Sequence, residues 1–265
     1  MLLILGMGYA GGFIARGARA AGHDVLGVRR EAQGGVMAFD DAALGGLVAA
    51  ADFLLSSVPP GTDGVDPVLA GFGAALTARR GWTGYLSSTG VYGDHAGAFV
   101  DETTVTKSGR RSARIAADHG WQALGAAIFR LPGIYGPGRS ALDTVRNGQA
   151  RRIDRPGHRF NRIHVEDIAG AVLTVMTMGA KGIFNVADAQ PAEPRAVTEF
   201  ACGLLGAAMP PLQQPDMAAL SPMARVFWTE SRAVSAARLT RLTGYRLRHP
   251  DYKAGLTAIF EGERA

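Results

Sequence analysis

The stretch Met1–Gly12, MLLILGMGYAGG, decides the fold. An apolar run, Leu2 to Leu5, passes straight into Gly6, Gly8 and Gly11. A run this short reads as a buried strand or as part of a buried helix, and the glycines that cut it off favour the strand. Their spacing gives each a task. Gly6 takes a tight turn, Gly8 lets backbone approach a pyrophosphate, and Gly11 lets the following helix pack closely on the strand. The first helical turn, with Tyr9 and Ala10, offers free N–H groups to an anion. Strand, turn and helix together predict a dinucleotide-binding unit.

A glycine-rich turn after any strand can match this pattern, so its context decides. The segment that follows, GGFIARGARAA, keeps Phe13, Ile14 and Ala18 towards one side with arginines on another, as a sheet-covering helix should. Gly22 ends that helix, and Asp24 to Val28 reads as the next strand. An NAD site carries Asp or Glu about 20 residues past the glycines, to accept from the ribose 2'-hydroxyl. Arg29 and Arg30 stand there instead. Paired guanidinium groups match a 2'-phosphate by fork geometry and charge, so NADP is the expected cofactor and NAD the alternative. The other reading of the two arginines is a solvated surface pair.

The composition bounds the rest. A chain of 265 residues with 47% hydrophobic and 19% charged content builds one or two packed domains and is not generally disordered. No apolar run reaches the roughly 18–20 residues that cross a bilayer, and Leu2 to Leu5 is too short for a signal-peptide core, so a cytoplasmic location is expected. Cys202, the single cysteine, forms no internal disulfide, and no Cys/His cluster has metal-ligand spacing, so no metal is expected. A net charge of +5 points to anionic small molecules before nucleic acid, because no aromatic-interleaved basic stripe accompanies it.

Further strands are expected at 35–40, with Asp40 at its end, at 51–58, at 82–87, at 124–130 and at 182–186. Ser57 and Pro59, at the end of the 51–58 strand, join the expected cofactor-binding residues. Helices are expected at 41–51, 65–80, 108–120 and 165–178. This alternation predicts an α/β fold with a doubly wound parallel sheet, the Rossmann architecture. Residues 1–138 and 164–190 would form the nucleotide-binding domain. Residues 139–163 and 191–265 would form a small, mostly helical substrate-binding cap over the carboxyl ends of the strands.

The segment LSSTGVYG, 86–93, leaves the fifth strand with consecutive hydroxyls followed by Tyr92. Such hydroxyls can bond a substrate oxygen; they also form self-capping turns. Taken with GMGYAG, RLPGIYGPG (130–138), NRIHVEDIA (161–169), FNVAD (184–188) and TGYRLRHPDYKAGL (243–256), the chain resembles the extended short-chain dehydrogenase/reductases. Within them it is similar to the NAD-dependent epimerase/dehydratase group, and to an atypical branch of it.

The resemblance implies a Ser or Thr, a Tyr and a Lys at the reacting centre, and an acid after the third strand that reaches the adenine. Ser88 and Asp40 match the first and last of these. The family's Tyr and Lys sit four apart on a helix, with an acid four further on. Matching Asp118 to that acid places Arg114 at the lysine position and Arg110 at the tyrosine position. Arginine stays protonated above about pH 12 and exchanges no proton there. It can only supply fixed charge to a phosphate, a carboxylate or a developing alkoxide. Tyr92 and Tyr135 are then candidate proton donors, or packing aromatics. The catalytic candidates are Ser88, Tyr92, Arg110 and Arg114.

An arginine-rich stretch carries Arg139, Arg146, Arg151, Arg152, Arg155, Arg159 and Arg162 against Asp143 and Asp154. It reads either as a rim that steers an anionic substrate or as a solvated face. His164 reads as structural. The expected function is an NADP-dependent oxidoreductase or epimerase acting on an anionic carbonyl or nucleotide-sugar-like substrate. The alternative is a non-catalytic NADP(H)-binding sensor. Partners on this reading are an anionic small molecule and, as an open option, a second copy of the chain, with no nucleic acid and no membrane.

Overall fold

The computed structural model describes residues 1–107, 112–215 and 228–264. Strand β1 (Leu2–Leu5) is buried at every position because it runs through the middle of a parallel sheet covered on both faces. Its sheet partners are β2 (Val25–Arg29) on one side and β4 (Phe53–Ser56) on the other, with Leu5 beside both Val28 and Ser56. Beyond β2 lies β3 (Met37–Ala38); beyond β4 come β5 (Trp82–Ser88), β7 (Ala127–Leu131) and β11 (Gly182–Asn185). The order of this 7-stranded sheet is β3-β2-β1-β4-β5-β7-β11, and every pairing is parallel. This is the doubly wound α/β architecture, with its switch point between β1 and β4.

Alternation along β1 separates two cores. Leu2 and Ile4 pack with Ile14, Phe129, Ile168, Val172 and Phe184 beneath helices α1 (Tyr9–Ala20) and α6 (Val165–Thr177). Leu3 and Leu5 pack with Val28, Leu54, Tyr85, Trp121 and Ile128 beneath α2 (Leu44–Ala50), α3 (Pro67–Ala78) and α4 (Ser112–Ala123). Local chemistry starts these helices where the sequence says. Asp66 accepts from the Val68 and Leu69 amides ahead of Pro67, and its other oxygen accepts from the Trp121 indole at 2.9 Å, tying α3 to α4.

A third cluster joins Tyr135, Leu142, Val197, Tyr252, Leu256 and Ile259 between α5 (Ala141–Arg146), α7 (Pro194–Leu205) and α9 (Tyr252–Gly262). This is the cap. Short parallel pairs tie it towards the sheet, β6 (Phe99–Val100) with β13 (Ala233–Val234) and β8 (Gly133–Tyr135) with β10 (Arg162–His164), while β9 (Arg152–Ile153) pairs with β12 (Leu212–Gln213) within the cap. The division expected at residue 191 is too simple. Leu239 of α8 (Ala237–Thr243), with Tyr245 and Leu247, packs into the cluster of β1 and α1, so this part of the tail returns to the sheet. The third strand is also shorter than expected, because Gly34 and Gly35 both take positive φ and spend its first residues on a turn.

Candidate functional site

A groove of about 840 Å³ opens at the carboxyl ends of β1, β2 and β4, lined by Gly6, Met7, Gly8, Arg29, Arg30, Phe39, Ser57, Pro59 and their neighbours. Each glycine of the opening motif has its own environment here. Gly6 sits at φ +90°, and a Cβ there would stand 2.7 Å from Ser57 Oγ. A Cβ at Gly11 would stand 2.8 Å from the Gly6 carbonyl, at the helix–strand contact. At Gly8 a Cβ would meet nothing nearer than that carbonyl at 4.0 Å, so the backbone beside the groove is bare. Helix α1 starts at Gly8 with no side-chain cap and no acid in its first turn, and Ala10 stays small and half-buried. Its first N–H groups are therefore open to an anion. Ser57 Oγ donates to the Gly6 carbonyl and fixes the turn.

The Arg29 guanidinium is braced: its Nε donates to the Met7 carbonyl at 2.6 Å and its Nη1 to Gln33 at 3.3 Å. Arg30 beside it is exposed on the groove wall. Two expected contacts lie elsewhere. Asp40 is exposed and does not line the groove, where Phe39, edge-on to Phe72, takes the wall instead. Tyr9 turns its hydroxyl to the Pro137 carbonyl at 2.9 Å, because the first position of α1 faces the loop after β8.

A second, smaller cavity of about 210 Å³ lies at the ends of β5 and β7, under the tail, lined by Ser88, Thr89, Gly90, Gly133, His158, Phe160, Asn161, Arg232 and others. Ser88 Oγ accepts from the Gly90 amide at 3.1 Å, which leaves its O–H free to donate. Burial, then Arg155 and Arg232, push the His158 imidazole below its ordinary value, so it is neutral near pH 7. Groove and cavity follow one another along the strand ends from β2 to β5, a span of about 14 Å at ordinary strand spacing.

The other catalytic candidates are not in this cavity. Tyr92 is fully buried; its hydroxyl donates to Asn185 at 2.7 Å and its ring lies under the Arg130 guanidinium at 4.8 Å. Burial raises its pKa, so it is a core aromatic and not a proton donor to the cavity. Arg114 donates to the Tyr85 hydroxyl at 3.0 Å, and Tyr85 stacks on Trp121 in the core of the α4 face, so that helix position points away from Ser88. Arg110 lies outside the described residues. Tyr135 turns towards the Asp251 carbonyl in the cap.

Solved structures place the whole chain. A protein from Silicibacter pomeroyi, described as a functionally unknown conserved protein, is 37% identical, with a TM-score of 0.89 over 100% of this chain and 99% of that one. A protein from Methylobacillus flagellatus assigned as an NAD-dependent epimerase/dehydratase is 27% identical, with a TM-score of 0.74 over 100% and 98%. The human epimerase family protein SDR39U1, solved with NADPH, shares the fold at 18% identity and a TM-score of 0.78 over 98% and 99%. The chain has the fold of NAD-dependent epimerase/dehydratase family members. No family model matches its sequence and no curated protein matches it.

The α4 face is built around a buried ion pair. Asp118, the anchor of the motif alignment, is fully buried and holds Arg130 at 2.8 and 3.2 Å, while Ser87 and Gln122 donate to it as well. It is a structural counter-ion. Sequence reading missed His158, Asn161 and Arg232, which two separate segments bring to Ser88. The only local signal was the arginine-rich stretch around His158. The fold also brings His164, Asp167 and His249 within 4.8 Å of one another. Each has other work. His164 Nδ1 accepts from the Glu166 amide, which leaves the proton on its other nitrogen, and Asp167 accepts from Tyr245, Arg248 and His249 to pin the tail.

Proposed function

We propose that this protein is an NADP-dependent reductase or epimerase of a compact carbonyl compound bearing a negative charge. The observation that carries this reading is the bare ledge at Gly8, flanked on the same groove by Arg29 and Arg30. Arg29 is pre-aimed by the Met7 carbonyl, and Arg30 is free to close on a 2'-phosphate. The NADPH in SDR39U1 supports the same choice for this chain. The α1 amides and the Gly6–Gly8 turn would hold the pyrophosphate, and a bound nicotinamide would supply hydride chemistry.

The chain's own residues do the rest. Ser88 donates its hydroxyl proton to the substrate oxygen and sets its position. His158, neutral and in the same cavity, exchanges the proton that neither Arg110 nor Arg114 can exchange. Arg232 lines the same cavity in an ion pair with Glu230 at 3.0 Å, so this wall is polar and charge-balanced. A cavity of about 210 Å³ lies below the range of about 300–1,000 Å³ that holds drug-sized ligands, which favours a small carbonyl compound over a nucleotide-linked sugar.

The second reading, an NADP(H) sensor, is favoured by the missing Tyr/Lys pair. Calorimetric titration of NADPH and NADH, on the parent protein and on Arg30→Glu, tests the cofactor. A preference of tenfold or more for NADPH that collapses in the variant is expected, and equal affinities in the parent overturn the 2'-phosphate assignment. NADPH absorbance against a panel of small keto acids and aldehydes separates the two functions. Turnover lost in Ser88→Ala and His158→Gln supports the enzyme; tight NADPH binding with no oxidation across the panel supports the sensor.

A further inference from the structure

A third cavity, of about 280 Å³, lies inside the cap between β8, β10 and the ends of α5, α7 and α9, and shares no lining residue with the groove or with the Ser88 cavity. Arg139, Arg162 and Tyr252 face it. The arginines around it are paired: Arg146 with Glu263, Arg152 with Glu199, and Arg195 with Asp154 and Glu193. Among the described residues, Arg139 and Arg162 have no carboxylate within ion-pairing distance.

Arg162 is the more telling of the two. Its Nη1 donates to the Phe160 and Ala192 carbonyls, both at 3.2 Å, and its guanidinium lies 4.0 Å from the Phe160 ring centre. The remaining donors of its fork have no partner in the described residues. The nearby Asp188 does not neutralise it. That carboxylate accepts from the Arg162 backbone amide at 3.0 Å, not from the guanidinium. Among the described residues no acid lines the cavity, and Asp143 and Asp251 on neighbouring positions are engaged elsewhere, Asp143 with Ser140 at the start of α5 and Asp251 with the Ala254 amide. Tyr252, 5% exposed, has a hydroxyl with no hydrogen-bond partner among the described residues. A guanidinium taken out of water without a counter-ion is unfavourable unless an anion meets it.

We infer that this cap cavity is an oxyanion site that takes a phosphate group, held by the forks of Arg139 and Arg162 and by the Tyr252 hydroxyl. Charge and geometry both suit it: a guanidinium fork matches a phosphate edge, and the cavity has room for a phosphate and a few attached carbons. The source is either free inorganic phosphate or a small phosphorylated metabolite.

Titration with inorganic phosphate at constant ionic strength, followed by calorimetry and by phosphorus NMR, tests the site on the full chain. Saturable binding in the millimolar range or tighter is expected. Arg139→Gln, an exposed substitution, should weaken it tenfold or more, and Tyr252→Phe several-fold. Arg30→Glu, in the dinucleotide groove, should leave it unchanged. Arg162→Lys keeps the charge and loses the fork, and should weaken binding without unfolding the cap. A sugar monophosphate used as a second probe separates the sources: tighter binding than inorganic phosphate indicates a metabolite, and equal binding the free ion. Phosphate binding that is absent in the parent, or that disappears in Arg30→Glu and survives Arg139→Gln, overturns the proposal.

Discussion

A methyl group added at Gly8 meets no atom nearer than 4.0 Å, whereas one added at Gly6 runs into Ser57 Oγ at 2.7 Å and the Val58 amide at 3.1 Å, on a backbone at φ +90°. The two glycines of one motif therefore separate folding from binding. Gly6→Ala should destabilise the protein by about 1–3 kcal/mol, from left-handed strain and the displaced Ser57 contact. Gly8→Ala should leave urea unfolding within about 0.5 kcal/mol of the parent, because its backbone conformation suits any residue. Its methyl group would fill the ledge where the pyrophosphate is expected, so dinucleotide affinity should fall tenfold or more by calorimetry. A Gly8→Ala variant that binds NADPH as the parent does would remove the ledge from the cofactor site.

Helix α4 and strand β7 meet through a buried pair in which Asp118 and Arg130 are 0% and 2% exposed. Asp118 also takes the Ser87 hydroxyl, one residue before Ser88, and Arg130 covers the Tyr92 ring, so the pair braces the end of β5. Asp118→Asn leaves a buried guanidinium without its counter-ion and should cost about 3–5 kcal/mol in chemical denaturation. Asp118→Leu with Arg130→Met should recover much of that loss, and a double-mutant cycle reads the coupling. A cost below about 1 kcal/mol for Asp118→Asn would mean that water reaches the pair. The same helix shows where sequence reading stopped. The glycine motif and the apolar strands were legible because strand period and turn chemistry are local. The i, i+4 spacing located Arg114 and Asp118 on one helix, but which way that face looks is set by Tyr85, Trp121 and Arg130, which belong to other elements. Tyr92 misled for the same reason, and His158 and Arg232 meet only because the tail folds back over β5.

Cap and sheet are joined at β8 and β10, and two buried groups at that junction titrate in opposite senses. Burial and His249 hold His164 down at about 4 against an ordinary 6.5, so the unfolded chain binds its proton first and stability falls as the pH drops from about 6.5 towards 4. Burial holds Asp188 up at about 7 against an ordinary 3.8, so the folded chain keeps its proton longer and stability falls as the pH rises from about 4 to 7. At about 1.4 kcal/mol per unit the slopes correspond at most to roughly 3.5 kcal/mol for His164 and roughly 4.5 kcal/mol for Asp188. Between about pH 4 and 6.5 they offset one another, and the parent should show a shallow stability profile there. Removing one exposes the other. Asp188→Asn keeps an oxygen for the Arg162 amide and should become markedly less stable towards acid, with a gain above pH 7. His164→Gln should lose stability towards neutral pH instead. Thermal melts of the three proteins from pH 4 to 8 decide the matter: parallel curves would show that neither group keeps its shifted pKa in solution, and curves that diverge in opposite directions would place the molecule's pH balance at the seam between cap and sheet.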